Sequence, residues 1–342
     1  MSNHIKKISG TYEILKKINS YSLDNKSVLI IGGGYMGKEY AHALEELGVS
    51  DVTIITKSPE QASNFSKKFD YQIIDGGFEK QLLTIEKKDL VIIATPIKFL
   101  VPAAKLSIET GQTKILIEKP GSLFHKELLS LNKIITDQKV RIAYNRLLYP
   151  NFHKIIQLVE DEGGITSCKF DFTEWIHKIP FDKFEKDECK LWGICNSLHV
   201  ITMVLELIGM PKEITSFQSG MFDWHPSGSV FTGTGLSEKN IPFSYHSDWK
   251  SSGRWMIEIM TKENLYRLMP LEKIFVSKKG TEEWNSVDFQ ISFPHLKLGI
   301  AEQIVTMLDD ELENQIGMVT VEKSIEYNKI AEKIFGYDTV RI

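Results

Sequence analysis

The chain has 342 residues, 42% hydrophobic and 25% charged, with a formal net charge of -4. This balance excludes a polyanion-binding surface or an acidic tail, so nucleic acid is not an expected partner, and no apolar run is long enough to span a bilayer. The length points to two domains; the three cysteines, Cys168, Cys189 and Cys195, are too few and odd in number for a disulfide framework and fit a reducing compartment.

In chain order, residues 1–26 carry Ile5, Ile8, Tyr12, Leu15 and Ile18 at a loose helical period and form an expected helical extension with nothing catalytic in it. Lys6 and Lys7 lack the apolar segment and cleavage site of a leader, so the expected location is the cytoplasm. The apolar run 27–31 then reads as a buried strand that breaks into Gly32-Gly33-Gly34-Tyr35-Met36-Gly37. A helical period follows at Met36, Tyr40, Ala43, Leu44 and Leu47. Strand, glycine turn and helix stand in the order a dinucleotide requires. Gly32 permits the sharp turn, Gly34 lets a pyrophosphate approach the backbone, and Gly37 lets helix pack on strand, with Tyr35 and Met36 at the helix start beside the phosphates.

Residues 51–55 supply the second strand of a βαβ unit. A carboxylate at its end would bind the ribose of NAD, but the chain has Thr56-Lys57-Ser58 there and its first acid at Glu60. Hydroxyls and a cation suit a 2′-phosphate, which favours NADP(H); the alternative is a solvated Lys57 with NAD bound without the usual acid. Further strands end in Ala94-Thr95-Pro96 and in Glu118-Lys119-Pro120, and a third spans 140–146. Thr95, Pro96, Glu118 and Lys119 therefore lie where strand C-termini open onto a ligand crevice. Strands alternating with helices predict a mostly parallel, doubly wound sheet, the Rossmann arrangement, over 27–150. From three residues alone, Lys119 reads as a surface lysine in a proline turn.

Beyond residue 150 the texture changes. A helix over 151–160 ends at Gly163-Gly164. Strands are expected over 165–176, 213–224, 229–236, 241–249, 254–261, 264–269 and 274–277, with one helix over 191–207 and helical periods at 298–312 and 321–335. Consecutive strands without helices predict an α+β domain over 151–342 with a mostly antiparallel sheet, whose last helices are free to pack back on the first domain.

The glycine motif, Ala94-Thr95-Pro96, Glu118-Lys119-Pro120, and Ala143-Tyr144-Asn145-Arg146 with Pro150, in this order, resemble the Gfo/Idh/MocA oxidoreductases, named after glucose-fructose oxidoreductase and inositol dehydrogenase. The resemblance covers nearly all of the chain after residue 27. It implies a Rossmann domain followed by an open-faced α+β domain, action on sugars or cyclitols, and a homodimer or homotetramer. Lys119 becomes a catalytic residue by this resemblance, and Tyr144, Asn145 and Arg146 become substrate-lining groups at the domain junction. Arg146 suits a phosphate or carboxylate and equally an interdomain salt bridge.

The family also places an acid within one helical turn before a histidine. The matching stretch retains His199, able to shuttle a proton near neutral pH, but has Cys195 and Asn196 at the acid positions. Asn196 can orient the imidazole without stabilising its cation as an Asp would. Cys195 and His199 one turn apart have the spacing of zinc ligands, but no fourth ligand is evident and no metal is expected. Trp175, His177, Trp192 and Trp249 are candidates for stacking on a sugar face, or simply buried aromatics.

The expected activity is hydride transfer between NADP(H) and a secondary alcohol or ketone of a sugar, nucleotide-linked ones included. Two other readings stand beside it. One is a dinucleotide-binding sensor or scaffold that has lost turnover. The other comes from residues 26–62, which also resemble the βαβ unit of shikimate-dehydrogenase-like and glutamyl-tRNA-reductase-like proteins; the later Glu118-Lys119-Pro120 and His199 do not fit those families.

Overall fold

The structure is a computed structural model that describes residues 10–338; Ile5 and Ile8 of the expected N-terminal helix lie outside them. The described part of that extension contains a short helix, Thr11–Leu15, and a 3-10 turn, Ile18–Ser20. The chain forms two compact units. One comprises Glu13–Leu148 and Ile291–Glu326, the other Tyr149–Gln290 with the described residues 10–12 and 327–338.

In the first unit, strands β1 (Ser27–Ile31), β2 (Asp51–Ile55), β3 (Gln72–Ile74), β4 (Leu90–Ile93), β5 (Lys114–Glu118) and β6 (Lys139–Ala143) form a parallel sheet. The spatial order is β6-β5-β4-β1-β2-β3, with a late strand, β15 (Val319–Thr320), antiparallel on the β6 edge. This is the doubly wound order, which reverses between β1 and β4. Ile30 lies in register with Ile54 on one side and Ile92 on the other, all fully buried, because both faces of the sheet are covered. β3 and β15 went unpredicted because two or three residues carry too little periodicity to be read.

Residues 291–326 come from far beyond residue 150, yet they build part of this unit. Helix Ile300–Leu308 packs on helix Tyr35–Glu46, and its Ile300, Ile304 and Val305 are buried in one core with Ile30, Tyr40 and Leu44. A helix so apolar can only be stable inside such a core.

The second unit is built on an eight-stranded sheet. Its strands are β7 (Ser167–Asp171), β8 (Pro211–Ser219), β9 (Val230–Ser237), β10 (Pro242–Asp248), β11 (Met256–Met260), β12 (Asn264–Leu268), β13 (Phe275–Lys278) and β14 (Asn285–Ser286). The order is β14-β13-β12-β11-β7-β10-β9-β8, antiparallel except for the pair β7 and β10. That exception arises because β7 precedes the long helix and enters the sheet between two later strands. Phe172, Phe231, Trp249 and Phe335 pack together, with the Phe231 ring 5.0 Å from Trp249 and 4.9 Å from Phe335.

Two elements differ from the expectation in a way that matters below. The strand expected over 165–176 stops at Asp171, whose carboxylate accepts the Thr173 amide at 2.6 Å, and residues 173–175 leave the sheet. The helix expected over 191–207 is two pieces, a π-helical turn Gly193–Ser197 and a helix Leu198–Ile208, and a separate short helix, Lys186–Lys190, precedes them. A Cβ on Gly193 would sit 2.4 Å from the Phe335 ring, so only glycine fits under that ring.

Candidate active site

The site begins at the C-terminal ends of β1 and β4. Gly32 has φ of +124°, and a Cβ there would lie 2.4 Å from the Ala94 carbonyl oxygen. A Cβ on Gly37 would lie 2.1 Å from the Gly32 oxygen. Gly34 is different: a Cβ there would meet nothing within 4 Å, and Gly34 starts the helix Tyr35–Glu46, which has no side-chain cap. Two glycines are thus required by the protein's own packing and one faces open space above free helix-terminal amides. At the end of β4, the buried Thr95 hydroxyl has no hydrogen-bond partner among the described residues, while Pro96 is exposed. A buried hydroxyl left unsatisfied beside such a turn fits a bound dinucleotide, which would complete it.

The residues after β2 divide. Thr56 is buried and its hydroxyl donates to the Ser58 carbonyl at 3.3 Å; the Ser58 hydroxyl caps helix Pro59–Ser66 by accepting the Gln61 amide at 3.4 Å. Lys57 alone of the three projects an exposed charge.

At the end of β5, Glu118 is buried and accepts a hydrogen bond from the Tyr40 hydroxyl at 2.7 Å. Burial pushes the Glu118 carboxyl up, against the Tyr40 bond and the charges of Lys119 and Lys297. Burial, and then the nearby Glu118, pushes the Tyr40 phenol well above its ordinary range. Lys119 follows as a half-buried lysine at a cis Lys119–Pro120 bond. Sequence reasoning missed Lys297. Its ammonium donates to Met36 Sδ at 3.3 Å and lies 4.7 Å from the ring centroid of the exposed Tyr35, over the first turn of the glycine-led helix. Burial pushes that ammonium down, with Glu118 and Glu39 opposing and Arg146 adding to the shift. Lys297 is carried there by Gly299, whose φ of +82° and close approach to the Asn145 oxygen admit no side chain. No sequence motif marks it.

The residues expected to line a substrate are handled unevenly. Tyr144 is buried, its hydroxyl 3.3 Å from Ser324 Oγ, and Asn145 donates to the Leu298 carbonyl at 2.9 Å. Both have structural partners. Arg146 is half-buried and adds its charge to the group around Lys297.

In the second unit, His199 stands at the start of helix Leu198–Ile208, half-buried, its ring 5.9 Å from that of Trp255. The turn before it supplies Asn196 and Ser197, and both donate to one carboxylate that the sequence reading passed over. Glu174 accepts from Ser197 Oγ at 2.7 Å, Asn196 Nδ2 at 3.0 Å and Trp255 Nε1 at 3.2 Å, and pairs with Arg254 at 3.5 Å. Burial pushes the Glu174 carboxyl up, and these partners, Ser197 foremost, oppose it. An acid in a run expected to be strand carried no signal of this role. Cys195 Sγ donates to the Glu188 carbonyl, and among the described residues no group of three or more His, Cys, Asp or Glu side chains could hold a metal ion. Of the aromatics considered for stacking, Trp192 and Trp249 are buried, whereas Trp175 and His177 are exposed.

A glycine turn at the reversal point of a parallel sheet, followed by a largely antiparallel second unit, is a two-domain fold that solved oxidoreductase structures share. Among solved structures it resembles a UDP-N-acetylglucosamine 3-dehydrogenase from Acidithiobacillus ferrooxidans, with TM-score 0.70 at 14% identity over 91% of this chain and 97% of that one. It also resembles an oxidoreductase from Thermotoga maritima, with TM-score 0.73 at 15% identity over 91% and 95%. A levoglucosan dehydrogenase in complex with NADH gives TM-score 0.71 at 17% identity over 92% and 97%.

The shikimate/quinate 5-dehydrogenase family model matches residues 13–113. A shikimate dehydrogenase (NADP(+)) of Methanothermobacter thermautotrophicus is 31% identical over 93 residues, 26% of this chain. A glutamyl-tRNA reductase of Listeria monocytogenes is 25% identical over 156 residues, 46% of this chain. The chain spans 32% of the length of each of these two curated relatives. Among the described residues no helix is long and apolar enough to cross a membrane.

Proposed function

We propose that this chain is an NAD(P)-dependent dehydrogenase or reductase that acts on the CH–OH group or ketone of a sugar or sugar-like substrate, nucleotide-linked sugars included. The observation that carries the reading is the glycine turn, tight at Gly32 and Gly37 and open at Gly34 above an uncapped helix start. Solved structures of the same fold include dehydrogenases of a sugar nucleotide and of levoglucosan, which supports a carbohydrate substrate. The exposed Lys57 after β2 supports NADP(H) over NAD(H), since a cation there suits a 2′-phosphate.

The residues that would hold the dinucleotide are Gly32, Gly34, Tyr35, Met36 and Gly37 at the turn, Lys57 beyond β2, Thr95 and Pro96 beyond β4, and Glu118 and Lys119 beyond β5. When bound, the nicotinamide supplies the site that gives or takes the hydride. Lys119 is assigned to the substrate oxygen, where its ammonium steadies the charge that develops as the carbonyl and alcohol forms interconvert. His199 is assigned to the hydroxyl proton, because imidazole takes and returns a proton near neutral pH. Arg146 and Asn196 are the further substrate-side groups. The three buried cysteines, none of them in a disulfide, fit a reducing compartment such as the cytoplasm, and a homodimer or homotetramer goes with the same reading.

A second reading is a dinucleotide-binding sensor or scaffold without turnover. It is favoured by one observation, the lack of a carboxylate at Cys195 and Asn196 before His199. A fluorescence titration of the purified protein with NADPH and NADH in parallel tests the whole proposal. Tight NADPH binding, weak NADH binding and a loss of about tenfold in that preference on Lys57→Ala are expected. Binding without turnover on any sugar ketone or alcohol would favour the sensor. Binding of neither nucleotide, after removal of carried-over cofactor, would overturn both.

A further inference from the structure

We infer that Glu174 is the carboxylate that serves His199, reaching it from the turn after β7 through Asn196 and Trp255 instead of from the histidine's own helix. The inference rests on the reading of His199 as a proton-relaying residue. Such an imidazole needs a partner that fixes its orientation and offsets its positive charge. The turn preceding His199 holds no acid of its own, only Cys195, Asn196 and Ser197. Glu174 is 3% exposed, and its four partners named above belong to two segments.

Asn196 and Ser197 lie on the π-helical turn that leads into His199. Trp255 and Arg254 lie just before β11, and the Trp255 ring packs against the histidine ring. One carboxylate oxygen takes Ser197 and Trp255, the other Asn196 and Arg254, so each oxygen has two donors. The Arg254 guanidinium in turn lies 4.3 Å from the Trp255 ring centroid and 4.9 Å from that of Trp175, which holds it in place. A carboxylate is costly to bury and keeps its charge only with such complete partners. A glutamine has one acceptor oxygen and an apolar residue none, so four donors shared over two oxygens mark a place built for a carboxylate. Because β7 ends early at Asp171, the chain delivers Glu174 beneath the turn that carries the histidine helix. Titratable groups that act on it or feel it include Arg254 and the Tyr337 phenol, and the Cys195 thiol in turn acts on Tyr337. Glu174 is thus a positioning residue, acting on His199 through its neighbours.

The test needs no turnover. The imidazole of His199 is titrated by NMR in the full chain, with His199→Asn assigning its resonance, in wild type and in Glu174→Gln. Glutamine keeps the size and removes the charge. The expected result is a fall of about one pH unit in the His199 midpoint, with a displaced Trp255 indole N–H resonance and a retained fold. A merely structural Glu174 would leave the midpoint where it is, and that result in a folded Glu174→Gln protein overturns the inference. If Glu174→Gln does not fold, Asn196→Ala keeps the carboxylate and cuts one path to it: a smaller fall supports the inference, and an unmoved midpoint overturns it. Failure of the oxidoreductase reading would register instead as wild-type protein that binds neither NADPH nor NADH, which leaves this midpoint untouched.

Discussion

Glu118, at the end of β5 in the first unit, and Glu174, after β7 in the second, are both buried carboxylates, and the chain surrounds them differently. Glu118 has one close phenol, Tyr40, and the charges of two half-buried lysines, Lys119 and Lys297, at a strand end. Glu174 has a donor set of four, drawn from the turn before His199 and from Arg254 and Trp255. The first arrangement leaves cations in partial contact with solvent, where they can meet a ligand. The second is closed, and its effect must pass through other side chains. Buried carboxyls therefore sit in two kinds of surroundings here: beside half-buried lysines at a strand end, and among donors from the turn that precedes a histidine.

The largest effect expected from breaking this contrast is at Lys119. Replacing it by Met should lower turnover about 10²- to 10⁴-fold while dinucleotide affinity is retained, as fits a group that meets the substrate oxygen. Steady-state kinetics beside a binding titration checks this; loss of binding together with turnover would make Lys119 a structural partner of Glu118 instead.

A third buried carboxylate sharpens the comparison, because it lacks the donors of the other two. Glu302, 3% exposed, is raised by burial from 4.5 to about 7, opposed only by its own backbone amide and that of Gly299. Its folded-state value lies above its unfolded one. It therefore costs nothing below about pH 4, and the cost grows as pH rises from about 4.5 to 7 and stays above that. Glu302→Gln should stabilise the protein by about 3 kcal/mol at pH 8 and leave it unchanged at pH 4. Denaturant melts at both pH values measure this, and equal effects at the two would mean that the carboxyl is not titrating.

The smallest effect separates ligand from packing at the glycine turn. Gly34 has φ of -84°, which alanine accepts, and open space at its Cβ position, so Gly34→Ala should alter stability by less than about 0.5 kcal/mol. Dinucleotide affinity should nonetheless fall by about tenfold, because the methyl would occupy the approach to the pyrophosphate. Unchanged affinity would reduce the turn to a packing device. Gly37→Ala is the control, destabilising through its 2.1 Å approach to the Gly32 oxygen.

Much of the first unit could be read locally. The run 27–31, the glycine spacing and the helical period that follows lie within twenty-odd residues, and each follows from propensity and steric demand inside that window. The same holds for the strands that deliver Thr95 and Glu118. What escaped reading there came from chain that returns late: Lys297 reaches the glycine-led helix through 291–326, and β15 adds to the sheet from residue 319. Thr56 and Ser58 show a finer limit, since a hydroxyl after β2 suits a phosphate as well as it suits the start of the next helix, and only coordinates show the hydrogen bonds taken.

By itself, the sequence determined the glycine turn and its sheet, the antiparallel character of most of the second unit, and a turn before His199 that contains no acid. Those depend on neighbours a few residues apart. Tertiary structure alone decided that a carboxylate stands by the histidine's turn after all. Glu174 meets Asn196 across 22 residues and Trp255 across 81, because β7 ends early and inserts between β10 and β11. Contacts closed over such distances leave no period or spacing in the chain; they exist only once the sheet has set which strands are neighbours.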